Sequence, residues 1–70
     1  MPLVFARVGQ KCIIRKFSCS CEIRMRMVNM GLFPGCPIEI LNSMNGTLLL
    51  KVGSARVMLE KCLAHQIHVS

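Results

Sequence analysis

The chain has 70 residues, nine Lys or Arg against three Glu, a formal net charge of +6, and a composition that is 53% hydrophobic and 17% charged. A chain of this size forms one domain near the lower limit for folding without staples, and it is too apolar to be disordered. No apolar run approaches the roughly 18 residues of a bilayer span, and the five cysteines, an odd number, read as free thiols in a reducing compartment.

In chain order, Leu3 to Gly9 is a lead-in that ends at a turn glycine. The start lacks the basic region and long apolar region of a signal peptide, so the expected location is cytoplasmic. Lys11-Cys12-Ile13-Ile14-Arg15-Lys16-Phe17 is apolar in the middle with charges at its flanks, which predicts a strand. Ser20 is placed to cap a following helix, with Glu22 facing the positive end of its dipole. From Cys21 to Met30, Ile23, Met27 and Met30 recur at i, i+4 and i+7, one face of a helix, with Arg24 and Arg26 off that face. A strand competes, because Ile23, Met25 and Met27 alternate with the two arginines. Gly31, suited to the left-handed position just past a helix, favours the helix.

Gly31-Leu32-Phe33-Pro34-Gly35 is a tightly specified turn, and Pro34 keeps Phe33 out of the helical region. Cys36 to Ser43 predicts a strand, and Asn45-Gly46 a hairpin turn in which both residues tolerate positive φ. The return strand runs from Thr47 to Val52 with Leu48 and Leu50 on one face. Gly53-Ser54 suits a second two-residue turn with glycine first. Ala55 to Leu59 follows, with Ala55, Val57 and Leu59 inward and Arg56 outward. Glu60 to Gln66 is a turn or single helical turn, and Ile67-His68-Val69 a terminal strand with its histidine facing out. Strand, short helix, three-strand meander and short strand predict a mostly β fold of about five strands, curled into a small barrel with the helix, about residues 21–30, closing one end.

The apolar turn is the first candidate site. Leu32 is expected to fasten the corner to the barrel, with Gly31, Pro34 and Gly35 setting its geometry, while Phe33 is the candidate tip for a partner. Arg24, Arg26 and Arg56 are the candidate polar contacts, since guanidinium pairs bidentately with carboxylates. Lys11, Lys16 and Lys61 suit a solvated surface. The second candidate is a transition-metal pair. Cys62 and His65, three apart, meet if they share a helical turn, and their soft donors suit zinc or copper(I) better than ferrous ion. The spacings of structural zinc sites are absent, so no cofactor is firmly implied, and solvated histidines with reduced thiols are the plainer expectation. Catalysis has little support: Asp is missing and no phosphate loop is present, which leaves only a Cys-His dyad assembled by folding. A small basic β-barrel also suits nucleic acid, although the lack of Trp and Tyr and the presence of only three Phe leave few platforms for base stacking.

Arg24-Met25-Arg26-Met27-Val28-Asn29-Met30-Gly31-Leu32-Phe33-Pro34-Gly35 resembles the signature of the FeoA family, an Arg-Leu pair followed by Leu-Gly-Leu-x-Pro-Gly, with methionine at two leucine positions. Cys36 to Leu41, Leu49 to Gly53, Val57 to Leu59 and Ala64 to Val69 are similar to the family's later strands, and Leu3, Ala6 and Gly9 fit its usual opening, so the resemblance covers essentially the whole chain as a single domain, residues 1–70. It implies an SH3-like β-barrel and a non-enzymatic cytoplasmic accessory protein of bacterial or archaeal ferrous iron uptake. The implied partner is the cytoplasmic domain of the permease FeoB, with contact to the membrane only through that partner. The same module occurs in iron-dependent repressors, and without a helix-turn-helix ahead of it the transport role is the expected one. A peptide-binding or metal-sensing SH3-like module is the remaining alternative. The cysteines fall outside the family motif.

Overall fold

The structure is a computed structural model that describes Met1–Ser70. A short 3-10 turn, Leu3–Phe5, leads into β1 (Lys11–Phe17), α1 (Cys21–Asn29), β2 (Pro37–Met44), β3 (Thr47–Val52), β4 (Ala55–Glu60), α2 (Lys61–Ala64) and β5 (Ile67–Val69). The five strands form one antiparallel sheet in the order β4-β3-β2-β1-β5. This is the small SH3-like arrangement expected, with one difference. The hydrogen-bonded ladder does not close on itself: β4 and β5 are its two ends.

Coiling comes from two irregularities. The β1–β5 register shifts between Ile14 and Lys16, and the β2–β3 register shifts between Ile40 and Asn42. An extra residue in one strand sharpens the local twist, and it also resets the inward phase. Cys12 and Ile14 are buried in β1, and after the shift the next buried residue is Phe17. One core results, containing Ile14, Ile38, Ile40, Leu48, Leu50, Leu59 and Ile67, with no buried polar side chain.

Three local expectations change. Asn45 keeps a negative φ and only Gly46 is left-handed, at 78°; one glycine suffices for the turn closed by the Met44–Thr47 pair. Ala55 is exposed although it is in phase with Leu59, because the inward row runs past the end of the core at the Gly53-Ser54 turn. His68 is half-buried rather than free in solvent, with Nε2 2.7 Å from Ser18 Oγ.

Candidate functional site

The helix and turn at residues 20–36 form a corner whose geometry follows from local sequence. Ser20 Oγ accepts a hydrogen bond from the Ile23 N–H at 3.3 Å, capping α1. At the other end Met30 is the last helical cap. The Leu32 N–H donates to the Met27 carbonyl and the Gly31 N–H to the Val28 carbonyl, both at 2.9 Å, the paired bonds of a Schellman motif. That motif needs a left-handed residue, and Gly31 supplies φ of 91°. The two residues whose side chains that motif brings together, Leu32 and Met27, are both 0% exposed in the core.

Four residues later a second turn reverses the chain. The Cys36 N–H donates to the Phe33 carbonyl at 3.0 Å, with Pro34 and Gly35 between them and Gly35 at φ 90°. Proline first and left-handed glycine second are the requirements of a type II turn. The corner is then tied to the sheet: the Gly35 N–H donates to the Ile14 carbonyl at 2.7 Å, and the Ile14 N–H to the Cys36 carbonyl at 3.0 Å. The buried Cys36 thiol lies 3.6 Å from the Gly31 carbonyl. Cys36 thus serves as a packed strand residue that also touches the turn it follows.

The outside of the corner is apolar. Phe33 is 49% exposed, and Met25 and Val28, on a helix face turned away from the one that Ile23, Met27 and Met30 share, are 62% and 43% exposed. Arg24 and Arg26 are exposed on the two flanks of that face. At about 100° per residue they lie on opposite sides of the Met25–Val28 stripe. Phe33, Arg24 and Arg26 are thus all exposed on the one helix–turn segment, as are Met25 and Val28. The signal for them was available: the i, i+4, i+7 pattern that assigns Ile23, Met27 and Met30 inward also assigns these two outward. Arg56 is placed elsewhere. A Cβ on Gly31 would lie 3.9 Å from Val52 Cγ1, so the corner abuts the inward face of the β3–β4 hairpin, whereas Arg56 pairs with Lys51 on its outward face.

The remaining candidates do not assemble into a centre. No group of three or more His, Cys, Asp or Glu side chains is positioned to hold a metal ion. Cys62 Sγ lies 3.6 Å from Glu60 Oε2 and is exposed, as is His65, while His68 is engaged with Ser18. All five cysteines are free thiols, and burial pushes the Cys12 pKa above its ordinary value by disfavouring the thiolate. A shallow groove of about 210 Å³ on the outer sheet face is lined by Lys11, Pro37, Glu39 and Lys51. It is smaller than the roughly 300 Å³ at which small-molecule pockets begin. Register places Glu39 between Lys11 and Lys51, so one carboxylate faces two ammonium groups across the groove.

Against known proteins, the FeoA domain model matches residues 1–70. The chain belongs to the FeoA family. A putative Fe(2+) transport protein A from Methanocaldococcus jannaschii is 28% identical over 97% of this chain and 83% of its own length. Among solved structures, an iron uptake regulatory protein (FeoA) superposes with a TM-score of 0.92 at 33% identity, covering 99% of this chain and 93% of that one. The iron(II) transport protein A of Clostridium thermocellum superposes at 0.93 with 29% identity, covering 100% of this chain and 44% of that one. Within the family frame, the Arg24–Gly35 stretch that carries the sequence resemblance is the corner itself. Its glycines and proline are accounted for by backbone geometry, which leaves the exposed apolar side chains without a folding role.

Proposed function

We propose that this FeoA-family chain is an accessory protein of ferrous iron transport that works by protein–protein contact, docking its helix–turn corner on the cytoplasmic domain of a FeoB-type permease. Family membership and the likeness to iron-transport and iron-uptake proteins support the pathway. The observation that carries the contact is the exposed trio Met25, Val28 and Phe33 flanked by Arg24 and Arg26 on a backbone fixed by two turn motifs. Apolar side chains on a rigid support lose little entropy on binding, and flanking guanidinium groups orient an acidic partner.

In this reading the chain performs no chemistry on iron. It acts in the cytoplasm, at the inner face of the membrane through its partner, and no helix of its own is long and apolar enough to cross. The test is capture of the permease's cytoplasmic GTP-binding domain by the purified chain, compared with Phe33→Ser and Met25→Ser. Both variants are expected to stay folded and to lose at least about tenfold in affinity, as exposed anchors do at an interface. Unchanged capture by folded variants removes the corner from the contact, and no capture by the unaltered chain removes the permease reading.

A further inference from the structure

The two ends of the sheet are treated differently. At the β5 end, Pro2 bridges His68, the Val69 N–H donates to the Met1 carbonyl at 2.8 Å, and the Met1 ammonium donates to the Val69 carbonyl at 3.2 Å. The chain's own first residues therefore cover that edge. At the β4 end nothing comparable occurs. β4 pairs only with β3, in unbroken register from Val52–Ala55 to Thr47–Glu60, and it contains neither a bulge nor a proline to blunt it.

The alternation of an antiparallel ladder shows which backbone groups are left over. A two-residue turn closes on a hydrogen-bonded pair, here Val52–Ala55, and at the far end the Lys61 N–H donates to the Gly46 carbonyl at 3.0 Å. Hydrogen-bonded pairs recur at every second residue, so Ala55, Val57, Leu59 and Lys61 direct their backbone groups to β3. The N–H and C=O of Arg56 and Met58 point away from the sheet, as does the N–H of Glu60, whose carbonyl opens α2 as its N-cap. The three side chains are exposed and share the outward phase of the strand, Met58 at 60%.

We propose that this edge pairs antiparallel with β4 of a second copy of the chain, with Met58 on the twofold axis. Charge decides both the occupant and the register. Arg56 and Glu60 stand two residues to either side of Met58, so reversing the strand about Met58 sets Arg56 of each copy opposite Glu60 of the other. Opposite charges in facing positions are favourable and like charges unfavourable. Registers centred on Arg56 or on Glu60 bring like charges face to face, so only the Met58-centred register is matched. In that register Met58 exchanges both backbone bonds with Met58 of the second copy, each Glu60 N–H reaches an Arg56 carbonyl, and the two methionines cover each other. The contact is isologous and closed, uses none of the corner residues, and does not depend on the iron-transport reading.

Sedimentation velocity over a concentration series at low salt tests the pairing. The unaltered chain is expected to move from the 7.8 kDa monomer to twice that mass. Met58→Pro removes an N–H that makes no bond within the sheet, and the variant is expected to keep its fold by circular dichroism and to stay monomeric. Arg56→Glu and Glu60→Arg singly are expected to weaken association by about tenfold or more, and the two together to restore it. A chain that is monomeric at millimolar concentration overturns the proposal. So does a dimer that survives Met58→Pro, or one that the double exchange fails to restore.

Discussion

Leu32 and Phe33 are adjacent, both large and both apolar, yet one is 0% and the other 49% exposed. The inner side of the corner, Met27, Leu32 and Cys36, continues the core of the sheet. The outer side, Met25, Val28 and Phe33, keeps between 43% and 62% of its surface exposed. The difference follows from backbone geometry rather than side-chain chemistry. The Schellman motif turns Leu32 back over Met27, and the type II turn that begins at Phe33 then carries the chain to β2 with that ring left outside. Apolar character thus does two jobs here, and only the two glycine-dependent turns separate them.

The largest break in this contrast comes from the inside. Leu32→Ala removes a fully buried side chain and is expected to cost about 2–5 kcal/mol, a large share of what a domain this small has available; urea denaturation measures it. Next is Gly31→Ala. The site is open, with only Val52 Cγ1 at 3.9 Å from an added Cβ, but φ of 91° is strained for any side chain, and a loss of about 1–2 kcal/mol is expected in the same measurement. Ser20→Ala deletes the cap of α1 and is expected to cost about 1 kcal/mol. On the outer side, Met25→Ser is expected to change stability by no more than about 0.5 kcal/mol and the half-covered Phe33→Ser by about 1 kcal/mol, both well short of unfolding, so that any lost binding is a surface effect. A loss comparable with Leu32→Ala would erase the distinction between the two sides. The contrast is also visible in the cysteines. Cys21, exposed at the start of α1, is expected to react with iodoacetamide well before Cys36, buried just past the turn; mass spectrometry after brief labelling reads the order.

Much of the corner was legible in the sequence because its determinants are local. Ser20, Gly31, Pro34 and Gly35 act through backbone dihedrals and short-range hydrogen bonds, which a few neighbouring residues decide. The strands and their order were legible for the same reason: turn residues punctuate them and alternation marks their faces. Where alternation alone was used, it failed at its limits. Ala55 keeps an inward phase beyond the end of the core, and the shifts at Arg15 and Leu41 reset the phase in ways no pattern announces. Met25 and Val28 lie on the helix face that does not pack, which the same helical period marks as plainly as the face that does.

The sequence by itself determined the family, the sequence of elements, the two turns and the fate of Leu32, since each rests on residue type and near-neighbour spacing. Tertiary structure decided what depends on residues distant in the chain. It sent Arg56 to the outer face of the hairpin, away from Arg24 and Arg26. It kept Cys62, His65 and His68 from forming a cluster. It covered the β5 edge with Met1 and Pro2 while leaving the β4 edge open. Those outcomes depend on strand register and on which segments meet across the sheet, and pairing between distant strands is set by the global packing of the core rather than by any short stretch of chain.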